Sequence, residues 1–80
     1  MIQIIVNAEP KIIKKMILAL LKSKLASRIL AQDYVKSYIM IDTKILKTHH
    51  KILYIYTDKT PEQIKWFVDK SFSWLKVEFL

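Results

Sequence analysis

The segment from Leu25 to Thr57 constrains the fold more than any other part of this chain. It contains two apolar-rich strand candidates separated by a polar bend. The first candidate runs from about Ala26 to Ile41, roughly three times the average strand length of about 5–6 residues. Two short helices cannot cover a strand of that length, so a second copy of the protein is the expected cover.

The first half of the chain predicts a strand, a helix and a second strand. Ile2 to Val6 is β-branched and apolar, and a helix begins near Pro10 with its lysines mainly off the apolar stripe. Ser23 and Lys24 make the turn into the long strand, which Asp33 interrupts as a bulge or kink. Alternation along that strand places Val35, Ser37, Ile39 and Ile41 on one face, and Tyr34, Lys36, Tyr38 and Met40 on the other.

The second half predicts a bend, a strand, a helix and a last strand. The polar bend runs from Asp42 to Lys51, and Ile52 to Thr57 is the next strand. Thr60, Pro61 and Gln63 form a capping box that starts the second helix. The buried stripe of that helix is Ile64, Phe67, Val68 and Phe72, and Trp74 to Phe79 alternates as a final half-buried strand.

The order β-α-β-β-α-β predicts an α+β, ferredoxin-like fold, with both helices on one face of an antiparallel four-stranded sheet. Residues 1–80 are expected to form a single domain. A chain of this size buries only about 60% of its unfolded surface, so it gains from oligomerisation. The sheet face without helices is expected to carry aromatic and sulfur-containing side chains or their neighbours, namely Tyr34, Tyr38, Met40, Tyr54 and Tyr56.

Composition narrows the possible functions. The net charge of +7 suggests a nucleic-acid partner, but Arg28 is the only arginine and the lysines are spread from Lys11 to Lys76. Cysteine is absent, which excludes disulfides and thiolate metal sites. The longest apolar run, Met16 to Leu21, is far below the ~20 residues that span a bilayer, and the start does not resemble a signal peptide. We therefore expect a cytoplasmic protein without a membrane partner.

The central segment resembles the CutA divalent-cation tolerance proteins without a gap. The matching positions are Leu25, Ala26, Val35, Ser37, Lys44, Ile45, Ile52, Leu53, Ile55 and Thr57, with Asp42 in place of a glutamate. The resemblance implies a ferredoxin-like subunit in a tight homotrimer, whose long second and third strands reach neighbouring subunits. It also implies the family's role in divalent-cation (copper) tolerance.

Several positions depart from the family pattern. Arg28 stands at the position of the family's cysteine and Asp33 at that of its strand proline. The family's tryptophan, glycine, glutamate and lysine positions are occupied by Ile41, Thr43, His50 and Tyr56. The chain also ends before the final strand and helix of the family. We therefore expect these 80 residues to lack the positions with which the family would bind copper, and a copper-binding role of that kind is not expected.

His49 and His50 are the only candidate metal ligands, and Cu or Zn is the candidate ion. Neighbouring residues of a strand point to opposite faces, so one subunit offers a poor chelate, although copies from a trimer can meet on an axis. No other cofactor is expected.

Enzymatic activity is not expected. The serines and threonines are scattered and nothing in the sequence places a histidine near Ser37 or Ser71, the acids are isolated, and no glycine exists to build a phosphate loop. The alternative to assembly is a small basic nucleic-acid-binding domain that uses surface lysines and sheet tyrosines. The leading hypothesis is a CutA-like homotrimeric assembly or regulatory protein. Its expected interface comprises Val35, Ser37, Tyr38, Ile39, Met40, Ile41, Ile52, Tyr54 and Tyr56.

Overall fold

The computed structural model describes residues 1–80 and contains the predicted alternation of strands and helices. The strands are β1 (Ile2–Val6), β2 (Arg28–Ile41), β3 (Lys44–Tyr56) and β4 (Val77–Phe79). The helices are α1 (Pro10–Lys22) and α2 (Pro61–Ser71). All strand pairs are antiparallel and the order across the sheet is β2-β3-β1-β4, which confirms the ferredoxin-like prediction.

The core lies between one face of the sheet and the two helices. Ile4 and Val6 of β1, with Leu53 and Ile55 of β3, meet the buried side of both helices in a single cluster. The helices contribute Ile13, Met16, Leu20, Ile64 and Val68. We call this side of the sheet the helix face and the opposite side the open face. Only 11 of 80 residues are buried, so this core stabilises the sheet near β1 and little beyond it.

Local signals start both helices and end α1 where the sequence predicts, whereas α2 ends at Ser71, just before Phe72 of its predicted stripe. Pro10 opens α1, and Lys24 makes the turn after it with a positive φ of 62°. In α2, the Thr60 hydroxyl accepts a hydrogen bond from the Gln63 N–H, and the Gln63 side chain accepts one from the Thr60 N–H. The capping box therefore satisfies two backbone donors at the first turn.

The predicted polar bend from Asp42 to Lys51 is wrong. Ile41 pairs directly with Lys44, so the turn contains only Asp42 and Thr43. Asp42 has a φ of 56°, a left-handed conformation that aspartate tolerates better than most residues. The polar residues that follow belong to β3, because their backbone groups pair with those of β2. This pairing does not depend on the polarity of the side chains.

The final strand is shorter than the predicted Trp74 to Phe79. A turn in which the Leu75 N–H donates to the Phe72 carbonyl delays its start. Only Val77, Glu78 and Phe79 pair with β1.

A β-bulge in β2 decides which side chains share a face. Gln32 pairs with Ile52, but the next paired residue of β2, Val35, lies opposite His50, so β2 contains one extra residue at Asp33 and Tyr34. One extra residue moves every later side chain to the other face. Tyr54 and Tyr56 therefore lie on the open face as expected, whereas the neighbours of Tyr34, Tyr38 and Met40 take the places that these three were expected to occupy.

Engineered cysteines can test this register, because the chain has no cysteine of its own. Ser37 lies opposite Thr48, whereas Lys36 would lie there if β2 had no bulge. We expect Ser37→Cys/Thr48→Cys to form an intrachain disulfide under diamide, since directly opposite residues lie within the range that a disulfide spans.

The matched control, Lys36→Cys/Thr48→Cys, should keep free thiols, as counted by alkylation and mass spectrometry. Faster oxidation of the control pair than of the Ser37 pair would show that the bulge is absent.

Candidate functional site

The outer part of the hairpin is not covered by the rest of the subunit. β1 pairs with β3 only from Lys51 to Ile55, so residues 35–41 and 44–50 pair with each other alone. We call these two segments the hairpin arm. Seven residues of strand extend about 24 Å at about 3.4 Å per residue. A two-stranded hairpin of this kind is only marginally stable in water by itself.

The hairpin arm exposes apolar side chains on both faces. On its open face lie Ile39, Ile41 and Leu46, and on its helix face lie Tyr38, Met40 and Ile45. Met40 is 68% exposed and Ile45 66%, and these two residues are directly opposite each other across the hairpin. Monomeric soluble proteins rarely leave a contiguous apolar surface of this kind uncovered.

The overall shape agrees with an uncovered extension. The radius of gyration is 13.6 Å and the longest dimension is 45 Å against 25 and 22 Å for the others. A compact domain of this length has a radius of gyration of about 12 Å. The hairpin arm accounts for the difference because it extends beyond the helices.

Two backbone edges of the hairpin are also free. β2 is the edge strand of the sheet, so its outer side from Arg28 to Ile41 has no strand neighbour. On the other side, β3 has no neighbour along residues 44–50, because β1 is too short to reach them. Free edges of this length are sites for strand pairing with another chain.

The residues of the predicted interface lie on two faces. Val35, Ser37, Ile39 and Ile41 share the open face with Ile52, Tyr54 and Tyr56, whereas Tyr38 and Met40 lie on the helix face of the hairpin arm. Ile45 and Leu46 belong to the same apolar surface and are absent from the predicted interface. Two adjacent apolar residues directly after Lys44 could have indicated a strand, but the sequence analysis assigned this stretch to a polar bend.

The four tyrosines do not form one platform. On the open face, the Tyr54 hydroxyl donates to Gln32 Oε1 at 2.7 Å, and the Arg28 guanidinium lies 5.6 Å from the centre of the Tyr56 ring. Tyr34 is on the helix face, where its ring stacks on His49 at 4.9 Å. The structure thus offers at most two tyrosines on a face for base stacking, which weakens the nucleic-acid alternative.

The two histidines point to opposite faces. His49 contacts Tyr34, whereas the His50 ring lies within hydrogen-bonding distance of Thr48 Oγ1 at 3.2 Å and of Asn7 Oδ1 at 3.4 Å. Both histidines line a shallow pocket of about 240 Å³ at the end of β1. Within one subunit no three histidine, aspartate or glutamate side chains converge as a metal site. A metal here would need ligands from more than one copy.

The contact between Thr48 and His50 was not predicted. Residues two apart are neighbours on a strand but not in the bend to which they were assigned. Thr48 also lies opposite Ser37, so three polar side chains are grouped at the base of the hairpin arm.

No helix is both long enough and apolar enough to cross a bilayer. This finding concerns the two helices, of which the longer has 13 residues.

No protein-family profile and no curated protein matches the sequence. Solved structures do match. The divalent cation tolerance protein Cut A1 of Thermus thermophilus superposes with a TM-score of 0.64 at 13% identity, over 99% of this chain and 80% of that one. The PII-like protein CutA of Nostoc sp. PCC 7120 superposes with a TM-score of 0.61 at 11% identity, over 100% of this chain and 79% of that one.

The periplasmic divalent cation tolerance protein CutA of Archaeoglobus fulgidus gives a TM-score of 0.63 at 15% identity, over 99% of this chain and 79% of its own. Because that protein is periplasmic, the cytoplasmic location of this chain stays a prediction. The identities are low, but the superpositions cover both helices, all four strands and the long hairpin. The chain therefore has the CutA-like fold.

Proposed function

We propose that this chain is a non-enzymatic assembly protein that forms a homotrimer through the hairpin arm, as a single-domain CutA-like subunit. The observation that carries the proposal is the hairpin arm itself, which is apolar on both faces and unpaired along both outer edges. A single covering helix would hide one face only. A neighbouring copy that wraps around the hairpin arm covers both faces and both edges.

The apolar side chains of the hairpin arm favour association. Six of the 14 exposed large hydrophobic side chains lie on it, namely Tyr38, Ile39, Met40, Ile41, Ile45 and Leu46. Burying a large apolar side chain completely is worth about 1.5–3 kcal/mol, so the half-exposed ones contribute about 1 kcal/mol each. Roughly 6 kcal/mol per subunit then opposes the entropic cost of association, with backbone pairing in addition.

The two free edges favour a closed ring. The outer edge of β2 and the edge of β3 along residues 44–50 are different surfaces. Pairing between different surfaces is heterologous and makes a ring when the rotation closes. The number three is taken from the resemblance to CutA proteins. The proposed role, a response to divalent cations, rests on the names of the structural neighbours in the same way.

The mass of the particle in solution tests the assembly. Three copies of the 9.5 kDa chain give about 28 kDa by light scattering coupled to size exclusion. We expect Met40→Lys to lower the mass to that of one chain, because a buried lysine without a partner opposes association.

The matched control is Leu80→Lys, since Leu80 is 64% exposed and Met40 is 68% exposed. In an isolated subunit both substitutions are equally harmless, so only the assembly distinguishes them. A parent protein that remains a monomer at micromolar concentration contradicts the proposal.

We also propose that His49 and His50 bind Zn or Cu only as parts of an assembled site. Each subunit presents one imidazole per face, and zinc sites use three or four protein ligands. Both histidines belong to the hairpin arm, and the proposal requires that the assembly bring copies of them together at its axis.

Calorimetric titration with Zn²⁺ tests this site. We expect His50→Ala to weaken binding about tenfold or more, since even supporting residues of metal sites change affinity by about 10–100-fold. Lys47→Ala on the same strand serves as the control. Equal zinc affinities of the parent and His50→Ala would exclude His50 as a ligand.

A further inference from the structure

The cations of this chain are segregated along the sequence. Between Glu9 and Asp33 there is no acidic residue, while six cations fall in that interval. They are Lys11, Lys14, Lys15, Lys22, Lys24 and Arg28. Helix α1 has no acid in its first turn and a lysine in its last. The local field around α1 is therefore positive along its whole length.

Folding collects these lysines on one outward surface. Ile13, Met16 and Leu20 of α1 enter the core, so the exposed side of the helix points away from the sheet. Its four lysines and the following Lys24 are all exposed, and Leu18 lies among them, 40% exposed and opposite the buried stripe. These lysines thus form a cationic helix surface with an apolar centre.

Helix α2 adds an exposed tryptophan to the same layer. Trp66 is 64% exposed, on the side of α2 opposite the buried Ile64 and Val68, and Lys70 Nζ lies 4.7 Å from the centre of its ring. Trp66 shares a depression with Leu25, which follows α1. The depression connects the tryptophan to the C-terminal end of the cationic surface.

The charge balance of the layer is strongly positive. Seven lysines belong to it, since α2 contributes Lys65 and Lys70, against the three acids Glu9, Glu62 and Asp69. Such a surface attracts an anionic partner, and its apolar residues distinguish between partners. An exposed leucine such as Leu18 does not contribute to the binding of phosphates or bases. Tryptophan, leucine and lysine together are typical of segments that lie in the headgroup region of a bilayer.

We propose that the outer surface of the helix layer docks on anionic phospholipid bilayers. Lysines of α1 contact the headgroups, and Trp66 and Leu18 enter the interfacial region. The docking is peripheral, because neither helix can span the bilayer. It does not depend on the proposed trimer, since none of these residues belongs to the hairpin arm.

Vesicle flotation tests the docking with full-length protein. We expect binding to vesicles of phosphatidylcholine with about 30% phosphatidylserine, none to phosphatidylcholine alone, and weakening by salt. Lys11→Gln/Lys15→Gln/Lys22→Gln should lose about a hundredfold in affinity, at about fivefold per lysine. The control Lys51→Gln/Lys59→Gln/Lys76→Gln has the same net charge, lies outside the hairpin arm and should retain binding. Equal losses in both triple variants, or no binding by the parent, overturn the proposal.

Tryptophan fluorescence separates lipid from nucleic acid. In the Trp74→Phe background Trp66 is the only tryptophan, and its emission should shift to the blue on anionic vesicles. A single-stranded oligonucleotide serves as the comparison polyanion. If the oligonucleotide binds through the same α1 lysines while vesicles leave the Trp66 emission unchanged, the surface is a nucleic-acid site and the lipid proposal fails.

Discussion

The length of the β2–β3 hairpin, set against the length of β1, is the constraint on which the rest of the structure depends. β2 has 14 residues and β3 has 13, but β1 between β3 and β4 has only five. The core can form only where β1 and the helices meet the hairpin. From Lys51 towards the turn, the hairpin has no cover within the subunit, and its exposed apolar side chains are the support for the proposed assembly.

The bulge at Asp33 and Tyr34 decides which apolar side chains each face of this extension carries. Without it, Tyr34, Tyr38 and Met40 would continue the open face that begins with Arg28 and Leu30. With it, Ile39 and Ile41 take that face and the aromatic and methionine side chains turn to the other. Both faces of the hairpin arm are apolar in either register, because Tyr38 and Met40 alternate with Ile39 and Ile41. A partner that covers one face alone leaves the other in water, which favours wrapping by a neighbouring copy over flat contact.

Much of the fold was predictable because its signals are local. Proline at the start of α1, the capping box of α2 and the apolar stripes act within a few residues, and the structure agrees with them. The extent of β3 was not predictable in this way, because residues 44–50 have no strand-like pattern and pair only because β2 is opposite them. The two-residue turn depends on the backbone conformation of Asp42, where no glycine marks the position. Asp33 did indicate a bulge, but alternation alone could not show that the bulge exchanges the faces.

The candidate site was predictable in position and not in detail. Strand length and apolar content located it between Val35 and Tyr56, whereas the contribution of Ile45 and Leu46 required the pairing register. For the cationic surface, too, the structure adds what the sequence does not show, namely which side of α1 faces outward. Helical spacing alone places Lys11, Lys15 and Lys22 on one side of α1, and the burial of Ile13, Met16 and Leu20 shows that this side faces outward.

Amide hydrogen exchange along the hairpin arm tests the central claim most directly. The claim is that another copy covers the free edges of residues 35–41 and 44–50, which have no partner within the subunit. The edge-facing amides of these segments should exchange slowly in the parent protein and lose protection on dilution or in Met40→Lys. Exchange of these amides in the parent at the rate of an unstructured chain, at concentrations where β1 and its partner residues 51–55 of β3 remain protected, would contradict the account.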